Sequence, residues 1–105
     1  MIDDDLEITE NINKGICSLA AKGRIDANSA DMLLEKLEHA LNNGQKAIIL
    51  NMSQVKYLSS VGIRVILKIY KQANETGSKF NIERPSDIVK NVLGMVALSE
   101  MLITD

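Results

Sequence analysis

The stretch from Lys46 to Ala73, KAIILNMSQVKYLSSVGIRVILKIYKQA, constrains the fold more than any other part of the chain. Ala47-Ile48-Ile49-Leu50 is an apolar run rich in β-branched residues and too short for a helix. It reads as a strand buried on both faces, as in a parallel sheet covered by helices. A polar break follows from Asn51 to Lys56. After Tyr57-Leu58-Ser59-Ser60, apolar residues resume at Val61, Val65, Ile69 and Ala73, with Ile63, Ile66, Leu67 and Tyr70 beside them. Spacings of three and four put these on one broad helical face.

The two serines then stand at a helix entrance, where a Ser side chain can accept from an otherwise unpaired backbone N–H. Gly62 leaves the first turn bare, which lets a partner or ligand approach the backbone closely. A helix N-terminus carries partial positive charge and free donors, so a phosphoryl group on Ser60 is tolerated there. Its effect on the helix would be roughly 0.3–1 kcal/mol of stabilisation. Such a modification alters the surface without unfolding the protein, as a reversible docking switch requires. The plainer reading is that Ser59 or Ser60 is only an N-cap.

Ahead of this stretch, Asp3 to Asp5 form an acidic lead-in, expected to be frayed and solvated rather than a cation site. Leu6, Ile8 and Ile12 suggest a first strand, and Asn13-Lys14-Gly15 a turn. Ile16 to Ala21 reads as a second strand that completes an N-terminal hairpin. Gly23 to Asn28 is expected to be a loop leading into a helix capped by Asn28 or Ser29, with Asp31 in its first turn. Ala30, Leu33, Leu34, Leu37, Ala40 and Leu41 make the inward stripe of that helix, Glu35, Lys36 and Glu38 face water, and Gly44 ends it in a left-handed conformation. His39 belongs on its surface.

Beyond the central helix, closed by Thr76-Gly77, Lys79 to Glu83 is a short strand with Phe80 and Ile82 on one face. Pro85 suits the first turn of a further helix, with Asp87 nearby. Ile88, Val89, Val92 and Leu93 are its apolar side, and Gly94 its stop. Met95 to Ile103 predicts a short helix around Ala97 to Met101 and then a strand or coil, with Met95 and Met101 as core fillers. Helix-linked strands should be parallel neighbours with right-handed crossovers, and the first strand antiparallel at an edge.

With 105 residues, the chain predicts one small domain. A net charge of −2, with no basic tract or aromatic platform, argues against nucleic-acid binding. No apolar run approaches the ~20 residues of a membrane span, so no membrane insertion is expected, and the acidic start is unlike a signal peptide. Lone Cys17 excludes an internal disulfide, suits a reducing cytoplasm and is expected to fill the core. No catalytic constellation assembles: Ser60 has no plausible base, and neither a nucleophile elbow nor a Gly-rich phosphate loop occurs. One Cys and one His cannot make a usual structural zinc site. The chain is therefore read as a non-enzyme without cofactors, one that receives chemistry rather than performing it.

Tyr57-Leu58-Ser59-Ser60-Val61-Gly62-Ile63 resembles the signature of STAS domains, specifically the bacterial anti-sigma factor antagonists. There an acidic residue or Ser precedes a phosphorylatable Ser, then a small residue, Gly and an aliphatic residue. Lys22-Gly23-Arg24-Ile25-Asp26 and Ile49-Leu50-Asn51-Met52-Ser53-Gln54-Val55 extend the resemblance over nearly the whole chain. It implies an α/β domain spanning residues 1–105, with a mixed four- to five-stranded sheet, a hairpin edge and helices packed on it.

The resemblance also implies a cytoplasmic partner-switching regulator, an anti-anti-sigma factor. Its unphosphorylated form would bind an anti-sigma factor that is also a serine protein kinase, freeing the sigma factor. Phosphorylation of Ser60 (Ser59 in second place) would end that binding, and a serine phosphatase would reset it. The partner surface would comprise Asp26, Asn28, Ser59, Ser60, Val61, Gly62, Ile63 and Arg64. Arg64 would pair with the phosphate or an acidic partner group, unless it is simply a solvated helix charge.

Two residues depart from the family pattern. Ser59 stands where many relatives are acidic, and Asn51 where the family usually has Asp at the end of the central strand. Two other readings fit the same family: a constitutive regulatory subunit of a transporter complex that is never phosphorylated, and a small-ligand or nucleotide-binding module. A monomer is expected, although a first-strand edge could pair.

Overall fold

A four-stranded sheet carries three helices in this computed structural model, which describes residues 5–96 and residue 98. The order is β1 (Glu7–Asn13), β2 (Ile16–Ile25), α1 (Ala30–Asn42), β3 (Ala47–Leu58), α2 (Ser60–Thr76), β4 (Lys79–Glu83) and α3 (Asp87–Met95). In space the strands run β1-β2-β3-β4. β1 is antiparallel to β2, whereas β2 with β3 and β3 with β4 are parallel. This is the mixed α/β arrangement expected, with four strands. The hairpin closes on Lys14 and Gly15, with φ of 53° and 84°. Positive φ at both central residues matches the right-handed twist of the flanking strands.

Burial follows the periodicities that predicted the helices, except that Leu67, expected beside the apolar face of α2, and Ile88, expected on that of α3, are exposed. α1 buries Ala30, Leu33, Leu37, Ala40 and Leu41, and α2 buries Gly62, Val65, Ile66, Ile69 and Ala73. These meet Cys17, Leu19 and Ile25 of β2, Ile48, Leu50 and Met52 of β3, and Phe80 and Ile82 of β4 in one core. Val89 and Leu93 join it from α3. His39 is on the surface and Gly44 takes a φ of 77° after α1, both as expected. Glu38 is half-buried rather than solvated: it accepts from Gln72 and pairs with Lys68, tying α1 to α2.

Several expectations need correction. The central strand is not buried on both faces, since Ala47 and Ile49 are only half-buried while Ile48 and Leu50 are fully covered. On the same side of the sheet as Ile49, Ser18 and Lys22 are exposed and Ala20 and Asn51 half-buried. Nor does β3 stop at Leu50. The polar stretch Asn51–Lys56 is strand, and β3 continues to Leu58. Two register shifts against β2, between Ala20 and Lys22 and between Gly23 and Arg24, each give β3 one extra residue. A bulge of this kind bends and twists the strand. Buried positions consequently fall every third residue, at Met52, Val55 and Leu58, so no two-residue alternation marks the strand.

β2 likewise absorbs Gly23, Arg24 and Ile25, which were expected in the loop; Gly23 has a φ of 114° beside the second shift. Pro85 precedes α3 rather than lying inside it, because Ser86 is the N-cap. Gly94 lies within α3, and Met95 is 79% exposed rather than core. Of the short helix expected near Ala97 to Met101 only Leu98 is described, and it is not helical; the rest of that segment, the terminal strand or coil, Met101, Asp3 and Asp4 fall outside the described residues. Asp5 is exposed.

Candidate docking site at the start of the second helix

The α2 entrance is fastened to the end of β2. Ser59 is the N-cap, in extended conformation at φ −86° and ψ 172°, and its Oγ accepts from the Gly62 N–H at 3.3 Å. The Ser59 N–H donates to the Ile25 carbonyl at 2.9 Å, which ties the helix start to the strand end. Ile63 N–H donates back to Ser59 O at 3.0 Å. By helix geometry the amides of Ser60 and Val61 have no intrahelical acceptor, and this end carries the positive end of the helix dipole. Ser60 is the first residue of α2 and is exposed.

Gly62 owes its identity to the interior. It is buried, and a Cβ there would stand 2.7 Å from both Ile25 Cγ2 and Leu58 Cδ1. The expected role as a bare spot for a partner's approach is therefore corrected: the bare spot lets α2 settle onto β2 and β3. Val61 and Ile63 are half-buried against the core, and Arg64 is exposed one turn further on.

Beside this entrance, Asp26 organises the turn after β2. Its Oδ1 accepts from the Asn28 N–H at 3.0 Å and the Ser29 N–H at 3.2 Å. Those bonds, that of Asn28 foremost, hold its carboxyl below the ordinary value; partial burial opposes them and is outweighed. Ser29 precedes α1 but does not cap it with its side chain. Instead its Oγ donates to the Arg24 carbonyl at 2.7 Å and accepts from the Asp26 N–H at 3.0 Å, closing the turn on itself. Asn28 is exposed at the turn's tip.

Two residues of this region, Arg24 and Tyr57, lay inside the motifs that carry the family resemblance but were given no role from the sequence. The Arg24 guanidinium lies over the Tyr57 ring, 4.2 Å from its centroid, with Nε 3.7 Å from Asp26 Oδ2. The pair braces the Asp26 turn against the last turn of strand before α2. Its only linear signal was an Arg and a Tyr each next to a strand's end; the bulged register that opposes them is invisible in sequence. Arg24, Asp26 and Asn28 also line an open pocket of about 420 Å³, together with Leu6 and Met32.

Asn51 does not belong to this site. It sits mid-strand opposite Ala20, five β2 residues before Ile25, which is roughly 16 Å at strand rise. Its Oδ1 accepts from the Ser53 N–H at 2.9 Å.

The STAS domain family model matches residues 7–104, and the chain belongs to that family. Over 99 residues it is 24% identical to the anti-sigma F factor antagonist of Paenibacillus polymyxa, covering 93% of this chain and 85% of the relative. Among solved structures it resembles an anti-sigma factor antagonist from Mycobacterium paratuberculosis, with a TM-score of 0.87 at 16% identity over 97% of this chain and 87% of the other. The unphosphorylated form of the anti-sigma factor antagonist SpoIIAA superposes with a TM-score of 0.80 at 17% identity, over 95% and 86% of the two chains. At these identities the structures speak to the fold, and they match its strand and helix arrangement.

Proposed function

We propose that this chain is an anti-sigma factor antagonist that works by partner switching. Unphosphorylated, it docks through the α2 entrance and the Asp26–Asn28 turn onto an anti-sigma factor that is also a serine kinase. The kinase transfers a phosphoryl group from ATP to Ser60 Oγ, and a separate serine phosphatase removes it. The relatives' names as anti-sigma factor antagonists support the class.

The observation that carries the switch is the division of labour between the two serines. Ser59 spends its hydroxyl on the Gly62 N–H, while Ser60 is exposed on the first turn. Modifying Ser59 would disturb a cap; modifying Ser60 would not. A phosphoryl group adds about −1.5 to −2 charge. At a helix N-terminus that charge is favourable by roughly 0.3–1 kcal/mol, so the fold is kept while the surface changes. Release then follows from like charge, or from desolvation of the phosphate against the partner. By this reading Arg64, exposed one turn further on, pairs with the phosphate or with an acidic partner group. Ser60→Ala leaves every named bond of the entrance in place.

The test is intact-mass measurement after incubation of wild type and Ser60→Ala with ATP and lysate of the source organism. One phosphoryl adduct on wild type, absent from the variant, is the expected result. No adduct, where a control substrate is modified, would overturn the switch in favour of constitutive docking. An adduct persisting in the variant would move the acceptor to Ser59.

A further inference from the structure

β1 stands at one end of the sheet order, and among the described residues its outer edge has no partner strand. Such an edge is a template for another chain. Its sequence, EITENIN, contains no proline and no lysine, and its register with β2 has no bulge, so three of the usual blunting devices are missing. Its charges are Glu7 at the start and Glu10 at the centre. The register sets Ile8, Glu10 and Ile12 on the face shared with Ala21, Leu19 and Cys17, all three of them buried. Glu10 is therefore a charge on the core-side face of an edge strand, itself exposed at the rim, with Cys17 Sγ donating to its Oε2 at 3.4 Å.

Glu10 is also the midpoint of β1. If a second copy adds antiparallel across this edge with full overlap, Ile8 faces Ile12 of the second copy, and Thr9 faces Asn11. Those pairs are compatible. At the centre, however, Glu10 faces Glu10 of the second copy, with the Cβ atoms about 4.5–5.5 Å apart, and like charges directly opposite are destabilising. Sliding by two residues sets each carboxylate against an isoleucine and shortens the overlap. We propose that Glu10 is the residue that keeps β1 from joining a second copy of this chain into one continuous sheet.

The experiment is sedimentation of wild type, Glu10→Gln and Glu10→Lys at equal concentration, with circular dichroism to verify folding. Wild type and Glu10→Lys, which keeps a like charge at the centre, should run at the 11.6 kDa of one chain. Glu10→Gln should run at twice that mass. A second pair of variants reads the register, both in a Cys17→Ala background. Oxidised Glu10→Cys should form a disulfide-linked dimer, and Thr9→Cys with Glu10→Gln should not, because its thiols are offset by two residues. A folded Glu10→Gln that stays single, together with no Glu10→Cys cross-link, would overturn the proposal. So would a dimeric wild type, a dimeric Glu10→Lys, or a Thr9→Cys cross-link as efficient as that at Glu10.

Discussion

Gly62 and Asp26 show how much of this site rests on single atoms. At Gly62 the space for a methyl group is already filled by Ile25 and Leu58. Both neighbours belong to packed strands, so they cannot swing aside as a surface side chain would. Gly62→Ala is expected to destabilise the protein by roughly 1–3 kcal/mol, the range for overpacking a core. Urea unfolding measures it, and a variant as stable as wild type would show that α2 can lift without cost. Asp26 is a different case, since its contribution is electrostatic. Its folded-state carboxyl titrates below the ordinary value, so the stability it adds is fully present above that value and is lost as pH falls through the folded one. Asp26→Asn should therefore be less stable than wild type at neutral pH, with the gap closing in acid. Unfolding at both pH values tests this; a gap independent of pH would assign the effect to shape rather than charge. Of the site residues, the two serines were legible at a helix entrance from local spacing, whereas Asp26 was reached only through the family resemblance. The reason for Gly62 was not legible, because it lies in Ile25, thirty-seven positions away along the chain.

Among the elements, the helices were the most legible and β3 the least. α1 and α2 advertise themselves because three- and four-residue spacing survives in any packing environment that buries one face. β3 hides its second half behind two extra residues that break its alternation, and polar Ser53, Gln54 and Lys56 fill three of its four exposed positions. That hidden half is what α3 is stitched to. Ser86 Oγ donates to the Val55 carbonyl at 2.7 Å and accepts from the Val89 N–H at 3.4 Å, while the Ser86 N–H donates to Met52 O at 3.0 Å. Ser86→Ala removes both a cap and a bond between elements, so it is expected to cost about 1–2 kcal/mol. Ser59→Ala removes only the 3.3 Å cap bond and should cost less. Equal losses for the two variants in parallel urea titrations would contradict the stitching role. Pro85 was misplaced by one cap because proline is welcome just before a helix as well as within its first turn.

For the molecule as a whole, Cys17 offers a built-in reporter. Its thiol is fully buried in the core, and burial, together with the Glu10 carboxylate, pushes its pKa up to about 11. Little thiolate exists at neutral pH and none of it is accessible, so a thiol reagent should label native protein only through opening of the core. Labelling should be slow in buffer and accelerate with urea in step with global unfolding; fast labelling in buffer would mean that the β1–β2 edge opens by itself. The sheet order carries one more implication, for the making of the protein. Only β1 and β2 are joined by a turn; β3 pairs in parallel with strands on either side of it, each separated from it in sequence by a helix. A chain emerging from the ribosome N-terminus first can close the hairpin and nothing more of the sheet until β3 is out. The two pairings that hold the centre must then form across long loops, a slow step during which the hairpin's apolar face waits uncovered.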